Sequence, residues 1–358
     1  MKTKCAFVFA LLLVHNQVTV CRVNAITQRL ETGYSCITHP CVMPGDQLQY
    51  VQEFSDVYIF QEGRILSEDG TWFVLGHVQV GETVPIPISS NVIFKEQEGT
   101  IAVLSTMWQM GWYHWLIELL PRLYILQQSG LEYDYIHLYS AAHAYMAGIQ
   151  MQSLYAVLDY LGIPRNKVLL VGGNVCLHAK KVLRPSYPYL LITTPIFPLW
   201  MRDFLQDVFL SQNKEEPTSY SSRIYVSRAD ARIRHIANED TLAPLLERYG
   251  FKKVILSQYA AHEQASMFNH ASIVIAQHGA ALTNVLFCKP GTKILEIDSK
   301  LLKRRMHFEL LSGFVGLKYR KFEAGDITQN WYDTQHYHTD LVIDVGEFEK
   351  CLQDFMQS

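Results

Sequence analysis

The stretch Ser272 to Phe287, SIVIAQHGAALTNVLF, decides how the chain is read. Ile273 to Ala276 is a continuous apolar run of the kind buried in a parallel sheet. It breaks at Gln277-His278-Gly279, and a second apolar run, Ala280 to Phe287, starts at once with helical composition. A strand passing directly into a helix is the unit of a doubly wound α/β domain, and ligands bind there, at the C-terminal ends of the strands. Gly279 lets the backbone turn sharply and leaves room for a ligand. The N–H groups of Gly279, Ala280, Ala281 and Leu282 would lie at a helix N-terminus carrying about half a positive charge, so a diphosphate is the natural guest. His278 offers a donor to a phosphate oxygen, with Thr283 and Asn284 adding polar contacts from the first turn. The competing reading is a structural turn with a capped helix, and spacing alone leaves both open.

Upstream, YVSRADARIRHIANEDTLAPLLERYGF (Tyr225 to Phe251) holds the cations that such a site needs. Ser227 and Arg228 fall at a strand end on the same sheet edge as His278. Arg232 and Arg234 follow in the loop, and Asn238-Glu239-Asp240 opens a helix with a good cap. An arginine on a diphosphate oxygen makes a charge-assisted hydrogen bond of about 1.5–3 kcal/mol. For Arg232, surface pairing with Glu239 or Asp240, at most about 1 kcal/mol, is an equal alternative.

Strands alternate with helices through the rest of the chain, which implies βαβ units and a parallel sheet. Strand-like, turn-rich segments occupy Val57 to Val92. A strand at Ile101 to Leu104 leads to an amphipathic helix, Trp112 to Gln128, and YIHLY from Tyr135 leads to a helix from about Ala144 to Leu161. The polar stretch Ser211 to Ser222 reads as a linker, after which the alternation restarts. The expected architecture is α/β and GT-B-like, two Rossmann-like domains facing a cleft. The N-terminal domain would span 26–210, the linker 211–222, the C-terminal Rossmann-like domain 223–345 and a tail 346–358.

Composition narrows the function classes. A formal net charge of -3 supplies no field for nucleic acid. Met1-Lys2-Thr3-Lys4 followed by the apolar Cys5 to Val14 resembles a signal peptide ending near Ala25, too short to span a bilayer. The expectation is a lumenal or secreted protein of the secretory pathway (Golgi or endoplasmic reticulum), membrane-associated only if the leader is uncleaved. Five cysteines follow the leader, and Cys36 and Cys41 are spaced for a local disulfide. His336 and His338, with Asp333 or Asp340, read as cleft-lining or solvated residues rather than metal ligands. Trp108, Trp112 and Trp115 offer a sugar-stacking platform or core filling.

As an ordered set, these motifs resemble glycosyltransferase family 61. The set comprises Ser227-Arg228, the Arg-rich loop, Asn238-Glu239-Asp240, Glu263-Gln264, His278-Gly279-Ala280-Ala281-Leu282-Thr283-Asn284, Lys289-Pro290-Gly291 and Leu295-Glu296-Ile297. Trp112-Tyr113-His114-Trp115 with Glu118 to Leu123 is similar to the family's aromatic-His-Trp helix. The resemblance implies an inverting transferase that moves a sugar from a UDP-linked donor to a hydroxyl of a glycan or glycoprotein acceptor, without cofactor or metal. It places Arg228, Arg234 and the His278 turn on the diphosphate and Glu263 on the ribose. The base would come from His114 or Glu118, four apart on one helical face. Alternatively, Glu118 pairs with Arg122 and braces that helix. Rival readings are a GT-B-like pyruvyl or phosphoryl transferase, or an inactive lumenal glycan-binding protein.

Overall fold

Parallel pairing of short apolar strands builds the C-terminal sheet. The computed structural model describes residues 26–29, 35–45, 47–66, 72–74, 91–106, 109–140, 148–191, 195–211, 220–231, 233–300, 306–327 and 340–358. The apolar leader, Trp108, Arg232, residues 212–219 of the expected linker, and 328–339 with Asp333, His336 and His338 lie outside them. The C-terminal sheet has six strands in the order Lys252–Val254, Arg223–Val226, Ile273–Gln277, Lys293–Ser299, Lys318–Ile327 and Asp340–Val342. Every neighbouring pair is parallel except the last.

Period-two alternation sorts the apolar residues of these strands between two cores. Ile224, Val226, Val274, Ala276 and Ile294 face a core shared with the N-terminal half. Tyr225, Ile273, Ile275, Leu295 and Ile297 face a second core. That core is closed by Leu242, Leu245 and Leu246 of helix Glu239–Arg248 and by Phe348, Leu352 and Phe355 of helix Val345–Gln357. The segment 346–358, expected as a tail, is therefore structural. Asp344, at its head, accepts from the Glu347 N–H at 2.9 Å and caps it. Asn238, expected to cap its own helix, instead bonds both backbone groups of Ile343, through Nδ2 (2.8 Å) and Oδ1 (3.0 Å).

The N-terminal sheet is mixed rather than purely doubly wound. Its main path runs Ile26–Arg29, Ser35–Met43, Gln47–Phe60, Val175–Pro185, Ile93–Val103, Tyr135–Tyr139 and Val168–Val171. The last four pair in parallel, as βαβ units should, whereas the first four pair antiparallel. The central strand Val175–Pro185 escaped sequence reading because its outer face carries His178 and Lys180, which pair with Asp56 at 3.0 and 2.7 Å. The expected Cys36–Cys41 disulfide does not form: both thiols are free and lie in one strand at an odd spacing. The pleat sends them to opposite faces, into separate cores.

Helix Trp112–His114 widens into a π turn over Trp115–Leu119 and continues as Leu120–Gln128. Arg122 is fully buried and donates to the carbonyls of Val103 (3.1 Å), Leu104 (2.5 Å) and Pro185 (2.8 and 3.0 Å). It thus pins this helix to two strand ends rather than forming the Glu118 pair of the alternative reading, and burial pulls its guanidinium down to about 10. Replacing Arg122 with methionine keeps the bulk but strands these acceptors. A stability loss of about 2–4 kcal/mol is expected in urea unfolding. A change below about 0.5 kcal/mol, the range of surface substitutions, would refute the brace.

The two halves share one buried cluster. Trp115, Leu119 and Leu123 join Phe268, Leu282, Leu286, Phe287 and Phe308 in it. Helix Leu199–Leu210 packs across the junction, with Phe209 edge-on to Phe287 at 5.8 Å and Gln206 Nε2 donating to the Leu286 carbonyl at 2.8 Å. Among the described residues no helix is long and apolar enough to cross a membrane.

Candidate functional site

Strand register brings the first part of the site together. Val226 pairs with Ala276 and Gln277 with Ile297, so Arg228, His278 and Asp298 emerge at one sheet edge. The Ser227 hydroxyl accepts from the Ala229 N–H at 3.1 Å and turns the chain there. Gly279 is extended, with φ 165° and ψ 171°, so its lack of a side chain serves close approach rather than a left-handed turn. A Cβ at Gly279 would overlap Arg228 Nη1 and lie 3.1 Å from its Cζ. The neighbour admitted by this glycine is therefore the arginine's guanidinium. Arg228 Nη2 donates to the Ile233 carbonyl at 3.4 Å, and its buried Nε has no acceptor among the described residues. Burial holds the guanidinium below its usual range, with Asp230 opposing. Arg234 adopts φ 61°, a left-handed conformation unusual outside glycine, and its Nη1 lies 3.5 Å from the His278 carbonyl.

Ala280–Phe287 forms a 3₁₀ helix. The Leu282 N–H, expected to be free for a ligand, bonds the Gly279 carbonyl at 2.9 Å. Ala280 and Ala281 are half-buried at the entrance, whereas Thr283 and Asn284 are fully buried. The Asn284 amide is occupied at both ends: Oδ1 accepts from Trp112 Nε1 at 3.2 Å and Nδ2 donates to Gln264 Oε1 at 2.9 Å. It ties helix Trp112–His114 to the Ala280–Phe287 segment. Glu263 Oε2 accepts from the Ala260 N–H at 2.7 Å, capping its own helix.

His278 is backed by residues that sequence reading did not place in the site. Its Nδ1 meets Glu296 Oε1, and the Tyr319 hydroxyl donates to Glu296 Oε2. Asp298 Oδ2 lies 3.8 Å from the same Nδ1 and 3.2 Å from Lys321 Nζ. Glu296 and Asp298 alternate with Leu295 and Ile297 in a buried strand, and that pattern was the available signal. Among the described residues, His278, Glu296 and Asp298 are the one group placed to hold a metal ion. His278 Nδ1 is hydrogen-bonded to Glu296, and the Lys321 ammonium lies 3.2 Å from Asp298 Oδ2.

The second part of the site lies on the π turn. His114 Nδ1 is 2.8 Å from Glu118 Oε1, and the Tyr189 hydroxyl donates to that oxygen at 2.5 Å. Glu118 is 1% exposed, whereas the His114 side chain is 30% exposed, so the imidazole is the accessible member of the pair. Burial first, then Glu118, raises the Tyr189 and Tyr113 phenols, which remain protonated. Aromatic rings connect the two parts. Tyr113 lies 5.2 Å from His114, 5.9 Å from His307 and 6.1 Å from Phe308, and Phe308 lies 5.2 Å from His278. Trp115 is buried and donates to Ser153 Oγ at 2.9 Å, which makes it a core residue rather than a sugar platform.

Comparison with known proteins supports the same segment. The profile of the family described as Glycosyltransferase 61 matches residues 112–295. A beta-1,2-xylosyltransferase of Oryza sativa subsp. japonica is 32% identical over 134 residues, 33% of this chain and 24% of that protein. A beta-1,2-xylosyltransferase of Arabidopsis thaliana is 37% identical over 65 residues, 18% of this chain and 12% of its own. A xylan glycosyltransferase of the same plant is 34% identical over 67 residues, 18% and 14%. Each match thus spans about a quarter or less of the relative's length. The matched profile takes in the π-turn helix, Arg228 and the His278 turn, and it covers just over half of the 358 residues; the chain belongs to glycosyltransferase family 61.

Proposed function

We propose that the chain is an inverting, GT-B-like glycosyltransferase that uses a UDP-linked sugar without a metal ion. The observation that carries this reading is Arg228 seated against Gly279 beside His278, at the edge where parallel strands end. Arg228, Arg234 and His278 would take the diphosphate, and the half-buried Ala280 and Ala281 would leave it room. Family membership and the names of the relatives favour sugar transfer over pyruvyl or phosphoryl transfer. Two relatives are named for β-1,2-xylosyl transfer, so UDP-xylose is the first donor to test. A β bond made from an α-linked sugar nucleotide requires inversion at the anomeric carbon.

In the reaction, His114 Nε2 takes the proton of an acceptor hydroxyl. That oxygen bonds to the anomeric carbon as the bond from that carbon to the phosphate oxygen breaks. UDP departs with the bonding electrons, and the cations of the C-terminal half receive its charge. Glu118 holds His114 through Nδ1, leaving Nε2 for the acceptor. The acceptor is a glycan hydroxyl, met in the lumen of the secretory pathway.

Nucleotide binding is tested by thermal unfolding. UDP at about a hundred times its Kd should stabilise the protein by about 2.7 kcal/mol, and the rise in Tm should survive EDTA. A shift that vanishes with the chelator would exclude the metal-free mechanism. No shift with any nucleotide would return the His278 turn to a structural role.

A further inference from the structure

Glu296 is fully buried, and both carboxylate oxygens are engaged, Oε1 by His278 Nδ1 and Oε2 by the Tyr319 hydroxyl. Burial, then the neighbouring Glu296, pushes the Tyr319 phenol well above its usual range, so it acts as a donor. Tyr319 and Lys321 come from the adjacent parallel strand, in register with Ile294 and Glu296, so all these side chains share one sheet face. On the opposite flank Phe308 packs edge-on to the imidazole at 5.2 Å, and Arg234 reaches the His278 carbonyl. The ring is therefore held between Glu296 and Phe308, neither of which the donor-site reading places against the ligand.

We propose that Glu296 and Tyr319 are positioning residues: they keep the proton of His278 on Nδ1 and reserve Nε2 for the ligand. The proposal rests on the donor-site reading above for what that ligand is. An unconstrained neutral imidazole favours the proton on Nε2, and a hydrogen bond at one ring nitrogen decides the tautomer. A phosphate oxygen at Nε2 needs an N–H there, so binding takes up one proton: Nδ1–H stays on Glu296, the new Nε2–H donates to the phosphate, and the Glu296 carboxylate answers the charge gained. Tyr319 keeps the carboxylate from rotating away. On the other side of the site, the Tyr189 hydroxyl donates to Glu118, whose Oε1 lies 2.8 Å from His114 Nδ1.

The test is nitrogen-detected NMR of the full chain labelled at histidine, with the His278 signals identified by their loss in His278→Asn. The neutral ring should be found as the Nδ1–H tautomer in the wild type and in Glu296→Gln, whose amide oxygen still accepts. It should change to Nε2–H in Glu296→Leu. UDP affinity should fall about tenfold in Glu296→Leu, equal to about 1.4 kcal/mol, and recover in Glu296→Gln. The Nε2–H tautomer in the wild type would overturn the proposal, and this measurement needs no variant to fold. Broadening of the His278 signals by equimolar Mn²⁺ would also overturn it, by showing the cluster to be a cation site. An Nδ1–H tautomer in a wild type that does not bind UDP would sink the nucleotide reading while the positioning role stands.

Discussion

Replacing His114 with alanine is expected to lower turnover by about 10²–10⁴-fold while leaving UDP affinity within about twofold of wild type. The two effects separate because His114 sits on the N-terminal half, with the rings of Tyr113 and Phe308 between it and His278. Glu118, its partner at 2.8 Å, is buried and touches His114 and Tyr189 rather than the entrance. Its loss should therefore act through the imidazole: Glu118→Gln should retain more turnover than His114→Ala. Steady-state kinetics with UDP-xylose, alongside calorimetric UDP binding, separates the effects. Equal loss of affinity and turnover in His114→Ala would place this histidine in the donor site. Unchanged turnover would remove it from the chemistry, and a Glu118→Gln variant less active than His114→Ala would make the carboxylate the base.

The second large effect is expected from a single methyl group. Gly279→Ala should weaken UDP binding about as much as Arg228→Ala, although it removes no charge. The added Cβ meets the far end of a flexible side chain, so the guanidinium can swing away without disturbing the backbone. The extended φ of 165° suits alanine, which keeps the conformational penalty small. Loss of a charge-assisted bond of about 1.5–3 kcal/mol corresponds to a roughly 10–150-fold higher Kd. Stability should change by less than about 1 kcal/mol, read from urea unfolding of both variants. If Gly279→Ala binds UDP normally while Arg228→Ala does not, the arginine reaches the donor from another rotamer and the close packing is incidental. Normal binding by both would take Arg228 out of the site.

Much of this was legible locally. The apolar run Ile273 to Ala276, broken by Gln277-His278-Gly279, marked the end of a buried parallel strand, and Ile273–Gln277 is that strand. The restart of alternation after Ser222 marked the second sheet, whose strands follow in sequence order apart from the switch at Lys252–Val254. Val175–Pro185 was missed because His178, Lys180 and Lys181 interrupt its apolar run. The C-terminal helix was missed because Phe348, Leu352 and Phe355, spaced at three and four residues, acquire meaning only once a sheet face is there to cover.

What the sequence determined by itself was the alternation of elements, the position of the strand-to-helix turn at His278 and the ordered motifs of the family, all of which depend on neighbours within a few turns of chain. What the tertiary structure alone decided was partnership. It gave Glu118 to His114 and Tyr189, turned Arg122 onto strand carbonyls, and buried Asn284 between Trp112 and Gln264. It also set Glu296 and Tyr319 behind His278. The physical reason is that, apart from the i,i+4 pair of His114 and Glu118, these contacts join residues 18 or more positions apart in sequence. Parallel register and the packing of one half against the other, rather than local propensity, decide which polar side chain a buried group will meet.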